Sequence, residues 1–117
     1  MGPRRGEVWF GSLSPTRGHE QGRHRPLLIL SDDQFNDSGA DLAIVLPLTT
    51  RQRAYPTRVE VRPPEGGLTA VSYVCCEHIR SLSVDRLTRA AGEVRPTTMA
   101  AVEDVIRLLL VLPTRRL

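Results

Sequence analysis

The 117-residue chain contains no lysine; all sixteen of its basic residues are arginine. Schiff-base chemistry and a P-loop lysine are thereby excluded. Cysteine is almost as scarce. Cys75 and Cys76 are adjacent, and neighbours on a strand point to opposite faces, so no ordinary disulfide joins them. Two thiols without a second pair also make a poor zinc site. They read as reduced packing residues of a cytoplasmic protein. Aromatic residues make up only 4%, with one tryptophan, too few for a base-stacking platform of the single-strand-binding kind. Even an apolar block as long as any in the chain, Leu108–Leu112, is far too short to span a bilayer. No apolar segment of signal-peptide type follows Met1–Arg5. A dinucleotide fingerprint, a nucleophile elbow and zincin or finger spacing are all missing. His19 and His24 lie five apart, and His78 is distant in sequence. No metal or cofactor is expected.

What the chain does have is positive charge and a compact apolar fraction. A net charge of +3 and a pI near 9.5 suit a polyanionic partner. With 40% hydrophobic and 25% charged residues, residues 1–117 are expected to form one globular domain. The densest polar stretch is Arg17-Gly18-His19-Glu20-Gln21-Gly22-Arg23-His24-Arg25-Pro26, followed at once by the apolar run Leu27–Leu30. Glycines let backbone N–H groups approach an anion, and arginine forks match phosphate geometry. By composition alone, the same stretch also suits a solvated hairpin tip.

The apolar pattern sets out the elements. Strands are expected at Glu7–Gly11, Leu27–Leu30 and Leu42–Leu46, the last closed by Pro47. Continuous apolar runs in the second and third indicate burial on both faces. Ser31–Gly39 is rich in turn formers and is expected to hold a short helical turn. Thr49–Arg53 is a second polar, basic loop. Thr57–Arg62 alternates as a half-exposed strand does, and Pro63–Gly67 is a turn. A strand is expected over Ala70–Cys76, running on into Glu77–Arg80. Asp85–Leu87 reads as one helical turn and Ala90–Val94 as a last short strand. Pro96 suits the first position of the one long helix, although Arg95 stands where a capping serine or aspartate would be. Met99, Val102, Ile106 and Leu109 share its apolar face, Glu103 and Arg107 can pair outside, and Pro113 ends it. Five or six short strands and one terminal helix predict a mostly β, α+β fold, a small antiparallel barrel. Edge strands and an apolar helix predict a homodimer.

The chemistry left open is that of arginines, histidines, threonines and a glutamate around two neighbouring loops. Such a set can bind a phosphodiester and stabilise additional negative charge on it. In RNA, the 2′-hydroxyl can itself attack the adjacent phosphorus. The protein then supplies a proton acceptor, a proton donor and a cation near the non-bridging oxygens.

In order and spacing, Arg5-Gly6-Glu7-Val8-Trp9, Leu13-Ser14-Pro15, Gly18-His19-Glu20-Gln21 through Arg25-Pro26, Leu46-Pro47-Leu48-Thr49-Thr50 and Glu77-His78-Ile79-Arg80-Ser81-Leu82 resemble the MazF/PemK-type toxins. The resemblance runs from about Arg4 to Leu112. It implies an SH3-like barrel with a C-terminal helix, assembled as a homodimer. It further implies the toxin of a type II toxin–antitoxin pair: a sequence-specific, metal-independent endoribonuclease of single-stranded RNA (mRNA). The products implied are a 2′,3′-cyclic phosphate and a 5′-hydroxyl, and the partner an acidic, MazE-like antitoxin. Carried over by position, the catalytic residues are Arg25, Thr49 and Glu20. Arg17, His19, Gln21, Arg23, Thr50, Arg51, Arg53, Glu77 and Arg80 are the candidates for RNA contact. Arginine is a poor base because it stays protonated. Arg25 is therefore assigned to the phosphorane charge and the leaving oxygen, Thr49 to the phosphate, and a histidine or Glu20 to the 2′ proton. Glu20 suits an ion pair with Arg25 equally well, and Arg80 suits packing or a dimer contact. His78 stands where many relatives have glutamine. The alternatives on the same fold are a protein-binding toxin of the CcdB gyrase-poison type and an inactive antitoxin-binding module.

Overall fold

A computed structural model describes residues 2–13 and 24–114. Seven strands and two helices follow one another as β1 (Glu7–Ser12), β2 (His24–Ile29), α1 (Asp33–Asn36), β3 (Leu42–Thr49), β4 (Arg58–Val61), β5 (Ser72–Cys75), β6 (Arg80–Ser83), β7 (Leu87–Glu93) and α2 (Pro96–Leu110). Short 3₁₀ turns occupy Glu65–Gly67, Cys76–His78 and Val84–Arg86. The strands pair antiparallel in the order β4-β5-β3-β2-β1-β7, with β6 also on β3.

The two apolar runs behave as their composition demands. Leu28, Leu46 and Leu48 point into one core, with Val8, Val61, Val74 and the helix residues Val102 and Ile106. Leu27, Ile29, Ala43 and Val45 point into a second, with Leu82. Alternate residues of β2 and β3 thus enter different cores, which is why neither strand shows polar alternation. The ends of the strand order meet through the Glu65–Gly67 turn, which follows β4 yet lies on β7. Gly67 has φ +69°, and a Cβ on it would sit 1.9 Å from the Ala91 carbonyl oxygen. Only glycine permits that approach.

Several boundaries differ from expectation. β3 does not stop at Pro47 but continues to Thr49. The Ile44 carbonyl accepts N–H groups of Leu30 and Ser31, so even-numbered residues of β3 present their backbone groups to β2 and odd-numbered ones to the other side. On that other side, β6 pairs only as far as Val45 and β5 begins at Leu48. Pro47 therefore lies between partners, where a missing N–H leaves no ladder bond unmade. β2 begins at His24 rather than Leu27, so Arg25 sits on a strand, opposite Gly11. The expected strand over Ala70–Arg80 divides into β5 and β6 at the Cys76–His78 turn, and β7 starts earlier, at Leu87.

α2 keeps Val102 and Ile106 in the core and has Pro96 in its first turn. Its missing local cap comes from a distance: Glu65 Oε2 accepts the Arg95 N–H at 2.9 Å and the Thr98 hydroxyl at 2.5 Å. A carboxylate there also meets the positive end of the helix dipole. The expected Glu103–Arg107 pair does not form. Glu103 receives Arg5, and Arg107 turns back to Asp104 at 3.2 Å. Leu109 is outside the core, and with Leu108, Leu110, Val111 and Leu112 it forms an exposed apolar end. The helix stops at Val111 in the left-handed region (φ 54°), where the Leu112 N–H closes on the Arg107 carbonyl.

Candidate active site

The ends of β2 and β3, the loop after β3 and the start of β4 open into one cleft of about 740 Å³. Its walls carry Arg25, Thr49, Thr50, Arg51, Arg53 and Arg80, all six from the sequence candidates, together with Arg58, Ser72, Cys75 and His78. Leu13, Pro26, Pro47 and Leu48 complete the lining. Five arginines and a histidine therefore face the same space, and no carboxylate lines it among the described residues. Such a surface selects for a polyanion.

Each position follows from an element already placed. Arg25 projects from the outer end of β2, two residues before the buried Leu27 anchors that strand at zero exposure. Thr49 closes β3 opposite Tyr73. Its Oγ1 accepts the Arg51 N–H at 3.2 Å, which fixes the hydroxyl oxygen and leaves its proton to donate. Arg25, Arg51, Arg53 and Arg80 carry no ion pair among the described residues. Their charge is thus available to a ligand.

Glu77, a sequence candidate for RNA contact, does not line the cleft. Its Oε2 accepts Arg58 Nε at 2.7 Å and lies 2.6 Å from a terminal guanidinium nitrogen of Arg58, while Oε1 accepts the Thr57 hydroxyl at 2.7 Å. Partial burial alone would raise its pKa, but the hydrogen bonds from Arg58 and Thr57 prevail and bring it to about 2. It is an ionised strut behind the wall. Tyr55 stacks on the guanidinium of Arg58 at 4.8 Å, so that arginine is held from two sides.

Sequence reasoning missed Arg58, which looked like one charged member of an alternating strand. The available signal was its place as the first residue of β4, directly after the basic loop. Arg17, His19, Glu20, Gln21 and Arg23 lie outside the described residues. His24 starts β2 opposite Ser12 and is not part of the cleft lining. Cys75 touches the cleft, but burial pushes its thiol pKa up, with Arg58 only partly opposing, and burial takes Cys76 to about 11. Both stay protonated near neutrality, as packing residues do. Among the described residues, no three His, Cys, Asp or Glu side chains gather as a metal-binding group.

The sequence and fold have close counterparts. Residues 4–110 match the family model described as PemK-like, MazF-like toxin of type II toxin–antitoxin system. The chain is 32% identical to Endoribonuclease MazF9 of Mycobacterium tuberculosis, over 90% of this chain and 93% of that one. It is 33% identical to Endoribonuclease EndoA of Bacillus subtilis, over 93% and 95%. A mycobacterial endoribonuclease solved in complex with its cognate antitoxin superposes with a TM-score of 0.78 at 32% identity, covering 97% of this chain and 99% of that one.

Proposed function

The chain belongs to the PemK-like, MazF-like toxins of type II toxin–antitoxin systems, and from that premise we propose that it cuts single-stranded mRNA at a short sequence, without a metal. The observation that carries the reading is Arg25 and Thr49 on the walls of one cleft in which every arginine but Arg58 lacks a carboxylate partner among the described residues. A phosphodiester entering the cleft meets the Arg25 fork at its non-bridging oxygens and the Thr49 hydroxyl at a third position. As the 2′-oxygen attacks, the phosphorus gains negative charge, and donors fixed in advance stabilise that charge more than they stabilise the substrate. The P–O2′ bond forms, the P–O5′ bond breaks, and the leaving oxygen takes a proton from the Arg25 side. The ends are a 2′,3′-cyclic phosphate and a 5′-hydroxyl. The nucleophile belongs to the substrate, so the protein need only bind, polarise and move protons.

The biological setting follows. We read residues 1–117 as one toxin domain, working as a homodimer in the cytoplasm, where mRNA is translated. Its inhibitor is an acidic, partly disordered antitoxin of the MazE kind. Such a chain lays carboxylates where phosphates would lie and orders as it binds.

Purified protein should cut single-stranded RNA in EDTA and leave intact a substrate with one 2′-deoxy sugar at the scission site. Cleavage of the deoxy substrate overturns the mechanism. A saturating antitoxin should displace a fluorescent deoxy-substituted RNA. Unchanged RNA affinity would place the inhibitor elsewhere.

A further inference from the structure

Within that nuclease reading, on which this inference rests, one cleft residue among the described residues has the chemistry to take the 2′ proton and has not been given that part by name. We infer that His78 is the general base, with Glu77 as its positioning carboxylate. His78 ends the 3₁₀ turn Cys76–His78, which joins β5 to β6, and it lines the cleft together with Arg25 and Thr49. Its Nε2 lies 3.6 Å from Glu77 Oε2. That oxygen is already fixed by Arg58, and the other carboxylate oxygen is held by Thr57. The carboxylate is therefore a stationary negative charge beside the ring. When the imidazole becomes imidazolium, the attraction to Glu77 grows. Nδ1, across the ring from Glu77, is the nitrogen left to accept.

The surroundings suit this part. Arginines cannot accept a proton, and burial holds the cleft-side Cys75 thiol protonated, as it does Cys76 behind it. Of the elements against the turn, β4 contributes Arg58, and β3 presents Thr49, which does not titrate near neutrality. The charged residues of α2 are engaged elsewhere, Glu103 with Arg5 and Asp104 with Arg107. Arg25 and Arg80 share the cleft with the ring. Histidine is the side chain that exchanges protons near neutral pH.

The step balances without a co-reactant. His78 Nδ1 takes the 2′-hydroxyl proton as the P–O2′ bond forms. The 5′-oxygen departs with its P–O bond electrons and takes a proton from Arg25, which is reprotonated from water as the imidazolium returns its proton to water. RNA gives the cyclic phosphate and the 5′-hydroxyl with no water consumed. An amide at this position could not accept a proton. Here the turn carries a group that does.

The test compares wild type, His78→Gln and Arg25→Ala across pH in EDTA. Each is assayed on an all-RNA oligonucleotide, on one with sulfur replacing the 5′ bridging oxygen, and for binding to the deoxy-substituted RNA. His78→Gln should lose about 10²-fold or more in single-turnover rate at neutral pH. It should also lose the acid limb of the pH–rate profile and keep deoxy-RNA affinity within about threefold. The sulfur leaving group departs without a proton, so it should not restore the rate of His78→Gln. An unchanged acid limb, a parallel loss of RNA affinity, or rescue by sulfur each overturns the assignment, the last by making His78 the acid. A wild type that leaves RNA uncut fails the nuclease reading instead. Cleavage lost in Arg25→Ala but intact in His78→Gln keeps that reading and removes only this inference.

Discussion

Arginine serves two opposite purposes at two places in this molecule. At the N-terminal segment, Arg4 reaches Asp33 at 3.2 Å and Asp37 at 2.7 Å, and Arg5 binds Glu103 and the Leu30 carbonyl. These pairs fasten the segment before β1 to α1 and α2. At the cleft, Arg25, Arg51, Arg53 and Arg80 have no such partners among the described residues. One residue type thus yields architecture where carboxylates answer it and a binding surface where they do not. Arg58 stands between the two, facing the cleft while fixed from behind by Glu77.

Substitutions can break that contrast, beginning with the largest effect. Arg25→Ala should lower the cleavage rate by about 10³-fold or more, with an unchanged thermal midpoint, since the side chain is exposed and has no ion pair among the described residues. A fall in melting temperature would assign Arg25 to architecture. Arg25→Lys should also be strongly impaired, because a point charge replaces a fork.

Glu77 is the sharpest test of the intermediate case. Its pKa falls to about 2 in the folded chain from an ordinary carboxylate value of 4.5. A carboxylate lowered on folding contributes stability above its unfolded pKa and loses that contribution as pH falls toward its folded one. Wild type should therefore weaken between about pH 4.5 and pH 2, by an amount that Glu77→Gln lacks. At neutral pH, that substitution should cost roughly 2 kcal/mol in urea unfolding, discounted for the partial exposure of the pair. Equal acid sensitivity in both proteins would refute the strut.

Removal of the distant cap comes next. Glu65→Ala leaves the Arg95 N–H and the Thr98 hydroxyl without their acceptor and should cost about 1 kcal/mol, with cleavage retained. The smallest effect belongs to the N-terminal pairs. Glu103→Gln should change stability by less than about 1 kcal/mol and activity not at all. An effect on cleavage would tie the fastened arginines to the open ones.

How far sequence could reach depends on whether a feature is local. The buried runs of β2 and β3, the helix and its start at Pro96 were legible because periodicity and proline act over a few residues. The cap at Glu65 was not, since it lies thirty residues before Arg95. The split between β5 and β6 carried no glycine or proline to announce it. Arg25, Thr49, Thr50, Arg51, Arg53 and Arg80, which line one cleft, were singled out through a family resemblance and the basic loops. Arg58 was hidden because a strand's alternation reports exposure and not what the exposed face overlooks. Glu77 was identified, but its role as a contact could not be separated from that of a support until its partners were placed.

Pro47 has one more consequence, for how the chain finds a single pairing. Moved one residue along β2, strand β3 would bring Pro47 to the side where backbone donors are required and would exchange the residues that fill the two cores. The proline thus works as a frame mark, penalising the neighbouring alignments while costing the native one nothing. Thr49 stands two residues further on. The position of the Thr49 hydroxyl on the cleft wall is therefore counted off from a residue that cannot donate a hydrogen bond.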